Sequence, residues 1–134
     1  MRDWLNRAWR PTLAWALVLI WMSVIFALSS QPSFPFQAEP VLYLVARKMA
    51  HFLEFAILGS MLVIALRASG ASRRPASLWA LGVAGAYAIS DELHQAIVPQ
   101  RTPSALDVGI DVAGAVVSIQ IARLWEARRQ QRRD

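Results

Sequence analysis

The order of apolar and polar positions divides the chain into four long apolar segments. Residues 11–38 carry no charge, and only Ser23 interrupts the apolar run of Thr12–Leu28. A run of this length is what a helix needs to cross the hydrocarbon core of a bilayer. The pattern predicts an all-α polytopic membrane protein, a bundle of four transmembrane helices, at about 12–30, 43–66, 76–97 and 105–123.

Short segments rich in proline or charge separate the four apolar segments. They contain Pro32, Pro35 and Pro40 in the first connection, R-A-S-G-A-S-R-R-P in the second and P-Q-R-T-P in the third. In the third, Thr102 followed by Pro103 is typical of a helix N-cap and first helical position. We therefore expect a single domain, 1–134, in which the fourth helix begins at this cap and a basic tail occupies 124–134.

The composition agrees with a membrane protein. Hydrophobic residues make up 56% of the 134 residues and charged residues only 17%, with a mean hydropathy of +0.36. Soluble domains carry roughly 25% charged residues, so the values argue against an ordinary soluble enzyme. There is no cysteine, which excludes disulfides, thiolate metal sites and thiol nucleophiles.

The net charge of +5 is distributed in a way that predicts topology. Most basic residues lie before the first helix, in the second connection or after the fourth helix: Arg2, Arg7 and Arg10; Arg67, Arg73 and Arg74; Arg123, Arg128, Arg129, Arg132 and Arg133. Four crossings would place all three groups on one side, which the positive-inside rule makes the cytoplasm. Both termini are then cytoplasmic, and anionic membrane lipids are the expected partners. Nucleic acid is not, because three separate segments share the arginines.

The ionisable residues of the last three apolar segments lie at the opposite ends of the predicted helices. They are Arg47, Lys48, His51 and Glu54; Asp91, Glu92 and His94; and Asp107 and Asp111. A charge near the bilayer centre costs about 2.5–3.5 kcal/mol on insertion scales. So many costly residues at one level predict a polar functional site in the outer half of the bundle.

Helical spacing indicates which of these side chains converge. Lys48, His51 and Glu54 share a broad face, Asp91 faces His94 and Gln95, and Asp107 lies one turn from Asp111. Small residues are expected to let the helices approach closely; they are Gly82, Gly85, Gly109, Ala113, Gly114 and Ser118. Purely structural roles stay open for the same residues. The side chains of Arg47 and Lys48 could reach the membrane interface, and Arg101 could anchor the chain there. Asp107 could stabilise a helix dipole, Glu92 could hold the loop, and His–carboxylate pairs could fix the helix register.

Two stretches resemble the signatures of the VanZ-like family. They are K-M-A-H-F-L-E-F-A-I-L-G at Lys48–Gly59 and S-D-E-L-H-Q-A-I-V-P-Q-R-T-P-S-A-L-D-V-G-I-D-V-A-G-A at Ser90–Ala115; the Ser29–Ser30 pair also fits. Gln100 departs from the pattern, since members often have glycine there. The resemblance implies a small integral protein of the bacterial inner membrane. The family's namesake is linked to lowered susceptibility to teicoplanin, a lipid-bearing glycopeptide that binds cell-wall precursors.

The signature positions support several functions. As a binding module, the site would take an envelope lipid or polyprenyl-linked precursor through Lys48, Glu92, Gln95, Arg101 and Asp107. As a metal-dependent hydrolase or transferase, it would use catalytic candidates His51, Glu54, Asp91, His94 and Asp111, the first four also being metal-ligand candidates for zinc or manganese. A divalent metal is the one cofactor these residues suggest. An ion-coupled carrier and a structural or partner-regulating protein remain alternatives, and the sequence does not decide whether the protein is an enzyme or what its oligomeric state is.

Overall fold

The chain folds into four α-helices in a computed structural model that describes residues 2–31 and 40–132, with side chains described for 10–31 and 41–132. The helices are α1 (Arg2–Ser29), α2 (Pro40–Ala68), α3 (Arg73–Gln95) and α4 (Ala105–Gln131). Pro32, Pro35 and Arg133 lie outside the described residues, and Arg2 and Arg7 outside the described side chains. The predicted all-α bundle is therefore confirmed. Helices α1, α2 and α3 begin earlier than predicted and α2 and α4 end later, whereas α1 and α3 end one and two residues earlier.

Three of the four helices are long and apolar enough to cross a membrane by length and composition. The spans are Arg10–Ser29, Val41–Ala68 and Ala105–Gln131, with mean hydropathies of 2.1, 2.0 and 1.6. The described helix α3 is not among them, because charged and polar residues at both of its ends, such as Arg74 and Asp91, lower its mean hydropathy; its buried face begins with the alanines Ala76, Ala80, Ala84 and Ala88. The chain is thus an all-α membrane protein, and the fourth crossing stays a prediction.

Helix α2 is the centre of the bundle, since it packs against each of the other three and most extensively against α4. Phe55, Leu58 and Leu62 are fully buried on its inner face. At the α2–α4 contact, a Cβ added to Gly114 would lie 2.2 Å from the carbonyl oxygen of Phe52. The expectation of close approach is met at Gly114 and at neighbouring Ser118, which faces Gly59.

The same expectation fails for two other glycines. A Cβ added to Gly82 or to Gly109 would meet nothing within 4 Å, so neither residue permits a close helix contact among the described residues. Gly85 comes only to ordinary contact distance, 4.0 Å, of Val112. A small residue within a helix therefore does not by itself mark a helix–helix contact, because it has to lie on the face turned toward the neighbouring helix.

Helix α4 begins at Ala105, as predicted, but the predicted N-cap is wrong. The N-cap of α4 is Ser104 rather than Thr102, and its hydroxyl accepts a hydrogen bond from the N–H of Leu106. A serine at this position satisfies one of the free N–H groups of the first turn. Gln100 in the α3–α4 connection has a φ of +62°, in the left-handed region that favours glycine.

Candidate functional site

Polar side chains gather where the last turn of α1, the first half of α2, the last turns of α3 and the first turns of α4 meet. Several are almost completely buried, among them Asp111 at 0% exposed, Asp91 at 2% and His51 at 7%. Each of these three comes from a different helix. Burial of ionisable groups at this level requires that they compensate one another or bind something.

His51, Asp91 and Asp111 form a group that we call the carboxylate–histidine cluster. Each residue offers one ligand atom, and the three atoms lie within 4.8 Å of one another. His51 Nδ1 and Asp111 Oδ1 are 3.3 Å apart but do not have hydrogen-bond geometry. Both carboxylate oxygens of Asp111 are buried without a hydrogen-bond partner among the described residues. Buried carboxylate oxygens are rarely left in this state.

Neutral groups hold the carboxylate of Asp91. The hydroxyl of Ser29 donates to Oδ1 at 2.5 Å, and Nε2 of Gln95 donates to Oδ2 at 2.9 Å. Arg101 Nη1 in turn donates to Oε1 of Gln95 at 3.3 Å, and its Nε donates to the carbonyl of Gln31 at 3.2 Å. Asp91 is thereby fixed in orientation while its negative charge has no cation in direct contact among the described side chains.

Two cationic side chains in the first half of α2 are bound to a different carboxylate. Lys48 Nζ donates to Oδ1 of Asp107, and Arg47 Nη2 lies 3.5 Å from Oδ2 of the same residue. Asp107 is in the first turn of α4, where a helix dipole also favours a negative charge. Partial burial, with a smaller effect of Arg47, lowers the pKa of Arg101, which still carries its charge at neutral pH.

Glu92, near the end of α3, is buried beside the start of α4, and its carboxylate holds the α3–α4 connection in place. Its Oε1 accepts a hydrogen bond from the N–H of Ser104, the N-cap residue of that helix. Its other oxygen, Oε2, has no partner among the described residues. These contacts correspond to the loop-holding role that the sequence left open for Glu92.

Two predicted metal ligands lie outside the cluster. His94 contacts α1 instead, where its Nε2 is 2.9 Å from the hydroxyl of Ser30 and its ring centroid is 4.2 Å from that of Phe26. Glu54 is half-buried, and its carboxylate makes no hydrogen bond within residues 10–31 and 41–132. Glu54 nevertheless lies close enough to interact electrostatically with the cluster. The described residues thus bring two of the four predicted ligands together with Asp111.

Helix geometry explains this difference. A residue four positions along a helix is rotated by only about 40° from the first, whereas a residue three positions along is rotated by about 60° in the opposite sense. The buried face of α3 accordingly continues from Asp91 to Gln95, and that of α2 from His51 to Phe55. His94 and Glu54, at the three-residue spacing, fall to the side.

Ser29 is a site residue that reasoning from chemistry did not predict. It entered the sequence argument only as part of the resemblance, yet it is 3% exposed and binds Asp91 directly. The signal was present, because Ser29 and Ser30 are adjacent hydroxyl residues directly after the apolar run of Thr12–Leu28. A polar pair at that level identifies the contribution of α1 to the site.

Comparison with known proteins gives one match. Residues 14–126 match a family model described as VanZ/LLP1. The matched range contains the whole polar region, from Ser29 to Asp111. No curated protein and no solved structure matches the chain.

Proposed function

The chain belongs to the VanZ/LLP1 family, and on this premise we propose that it is a membrane protein that binds a divalent cation at His51, Asp91 and Asp111. The cation in turn would bind the phosphate of an envelope lipid or lipid-linked cell-wall precursor. The observation that carries the proposal is the carboxylate–histidine cluster, in which three helices contribute one ligand each.

The charge balance of the cluster supports a bound cation. Two buried carboxylates so close together are costly to keep charged unless a positive charge lies between them. Arg47 and Lys48 pair with Asp107, and Arg101 bonds Gln95 rather than either cluster carboxylate. A divalent cation would satisfy the unpartnered oxygens of Asp111 and the charge of Asp91 together.

The donor set suits zinc or manganese, both of which accept imidazole nitrogen and carboxylate oxygen. Two ligands about 2.1 Å from one ion lie about 3.4 Å apart in a tetrahedral site. His51 Nδ1 and Asp111 Oδ1 are 3.3 Å apart. The hydrogen bonds from Ser29 and Gln95 to Asp91 are of the kind that orients metal ligands. Three protein ligands also leave a coordination position for a substrate oxygen.

A phosphate-bearing ligand follows from the same charges. The acids around the site would repel a phosphate directly, whereas a cation would attract it. Lys48 and Arg101 lie at the same end of the bundle and would contact further oxygens of the headgroup. Most of the basic residues of the chain lie toward the other end, so the positive-inside rule supports an extracytoplasmic position for the site. Lipid-linked precursors of the bacterial cell wall present their headgroups on that side.

Catalysis at the site is a second candidate function, and Glu54 is the observation that favours it. Its carboxylate is half-buried, makes no hydrogen bond in the described part of the chain, and lies within electrostatic range of His51, Asp91 and Asp111. A carboxylate in that position can take a proton from water that a metal ion has activated. The reaction would be the hydrolysis or transfer of a phosphoryl or acyl group of the bound lipid.

Metal analysis of the purified protein tests the proposal. Protein in mild detergent should contain about one equivalent of zinc or manganese, and D111N should lose it. D107N is the matched control, because it removes the same charge one helical turn away and should keep the metal. Removal of the metal by chelation should also lower the Tm of the wild type, and readdition should restore it. A metal-free wild type whose Tm does not respond to added zinc or manganese would overturn the proposal.

Substrate binding is tested separately with a polyprenyl phosphate. The lipid should raise the Tm of metal-loaded protein and should have little effect after chelation. In a glycopeptide-susceptible bacterium, expression of the wild type should reduce teicoplanin susceptibility, and D111N should not. E54Q should keep the metal and the bound lipid whether the protein only binds its ligand or also catalyses a reaction. If the site is catalytic, E54Q should lose the effect on teicoplanin susceptibility; if it only binds, E54Q should keep that effect.

We also propose that α3 completes four crossings of the bacterial inner membrane, with both termini in the cytoplasm. The support is the charge distribution, because the arginines of α3 and α4 lie at one end and the buried acids at the other. A reporter that is active only in the cytoplasm should be active when it is fused after Asp134, and one that is active only outside the cytoplasm should be inactive there. An extracytoplasmic reading would contradict this topology.

A further inference from the structure

A groove runs between the C-terminal halves of α2 and α4, at the opposite end from the carboxylate–histidine cluster. Its volume is about 600 Å³, within the range of small-ligand sites. From Ser60 to Arg67 on α2 it is roughly 10 Å long, at 1.5 Å per residue. Most of its lining is apolar or small: Ser60, Val63, Ile64, Ile121, Ala122 and Trp125.

A basic cleft adjoins this groove. The cleft has a volume of about 370 Å³ and is lined by Trp125, Arg128, Arg129 and Arg132. Trp125 lines both spaces, so the apolar groove and the basic cleft are neighbours along α4. The guanidinium of Arg129 lies over the ring of Trp125, 3.5 Å from its centroid. An indole beside a cation is an arrangement suited to the membrane interface.

The arginines of this cleft have no carboxylate in ion-pair contact among the described side chains. Glu126 is the one acid between residues 112 and 132. It is bound to Arg73, whose Nε is 3.1 Å away, and to Arg67 at 3.9 Å. Glu126 therefore does not compensate Arg128, Arg129 and Arg132, and the cleft is complementary to an anion.

We propose that the groove and the cleft together bind one anionic phospholipid of the bilayer. The acyl chain would lie along the apolar groove, and the phosphate would lie among Arg128, Arg129 and Arg132. The groove lies between α2 and α4, two helices that are apolar enough to span the membrane. Lipid acyl chains surround such helices in the bilayer core. Polybasic segments at helix ends attract anionic headgroups. This site is separate from the proposed metal site and does not depend on it.

Native mass spectrometry of the full chain tests the inference. Protein in mild detergent is offered equal amounts of dioleoyl phosphatidylglycerol and dioleoyl phosphatidylcholine, and the wild type should retain one phosphatidylglycerol preferentially. R128Q/R129Q/R132Q should lower this preference at least tenfold. R10Q/R74Q/R123Q is the matched control, since it removes three arginines that do not line the cleft or groove, and it should keep the preference.

A second variant tests the groove while keeping every arginine. S60F places a ring in the groove and should reduce retention of the two-chain lipid. Inorganic phosphate at millimolar concentration should not displace the lipid, because the groove supplies part of the binding. Equal preference in the two triple variants, full displacement by phosphate, or unchanged lipid retention in S60F would each overturn the inference.

Discussion

Two carboxylates of α4, Asp107 and Glu126, are each shared by two cationic side chains, but they lie at opposite ends of the helix. Asp107 contacts Arg47 and Lys48 of α2. Glu126 contacts Arg67 of α2 and Arg73 of α3. The Asp107 side chain is 10% exposed and that of Glu126 30%. Each carboxylate thus has two cationic partners, but Asp107 is much more buried than Glu126.

The surroundings of the two groups show why this difference matters. One turn beyond Asp107 lies Asp111, a buried acid without a hydrogen-bond partner in the described part of the chain. One turn beyond Glu126 lie arginines that have no carboxylate in contact. One end of the protein therefore has uncompensated negative charge, and the other has uncompensated positive charge. The net charge alone hides this separation, which suits the two ends to ligands of opposite sign.

The largest expected effect comes from a substitution that forces α2 and α4 apart, at a contact that lies between the two ends of the protein. In G114A the new Cβ would lie 2.2 Å from the carbonyl oxygen of Phe52, a backbone atom that cannot rotate away. We expect a loss of about 3 kcal/mol or more in unfolding free energy, because overpacking against backbone forces the helices apart. Unfolding in mixed detergent micelles measures it, together with metal content and lipid retention.

G109A is the control for this substitution, because its Cβ would meet nothing within 4 Å. Its stability should stay within about 1 kcal/mol of the wild type. In G59A the nearest atom is the Ser118 hydroxyl, which can rotate, so the loss should be intermediate. A G114A protein as stable as G109A would show that the helices do not pack as described.

Removing one cation from each shared carboxylate tests the comparison directly. K48M leaves Asp107 buried with Arg47 alone, and we expect a loss of about 2 kcal/mol, below the range for a buried pair because one partner remains. R73M leaves the more exposed Glu126 with Arg67, and the loss should be below about 1 kcal/mol. Unfolding free energies of both variants measure the difference.

Salt separates the two effects further. Ionic strength screens exposed charges much more than buried ones, so added salt should shrink the cost of R73M and leave that of K48M nearly unchanged. Equal losses with equal salt dependence would mean that the two carboxylates have the same environment.

The smallest effects are expected in the α2–α3 and α3–α4 connections, in each of which one described residue has a positive φ. Gln100, at the end with the carboxylate–histidine cluster, has φ +62°, and Gly70, at the end with the basic cleft, has φ +94°. Q100G should gain about 0.5 kcal/mol, because relief of left-handed strain exceeds the entropy of a new glycine. G70A should lose about 1 kcal/mol. Changes of the same sign in both variants would contradict this interpretation of the backbone.

The fold was largely predictable because long apolar runs and arginine clusters leave few alternatives to a helical membrane bundle. The ends of the helices were less so. Ser104 caps α4 in place of Thr102 because the Glu92 carboxylate, twelve residues earlier, binds its N–H. A tertiary contact of this kind has no signal in the local sequence.

The level of the site was predictable from the ionisable residues, and the grouping within it was not. Spacing places Gln95 beside Asp91 on its own helix, but only the position of α1 decides that His94 contacts Ser30. Helix rotation within the bundle depends on packing such as that at Gly114. A single sequence does not give that rotation.

The carboxylate–histidine cluster also constrains how the protein is made. His51 and Asp111 are sixty residues apart in the sequence, a distance that a ribosome takes about 3–12 s to translate. During that interval α2 has been synthesised with Lys48 and His51 while the acids that they contact do not yet exist. We therefore expect the polar contacts of Lys48 and His51 to form only after the fourth helix has been synthesised, so that the site is the last part of the bundle to assemble.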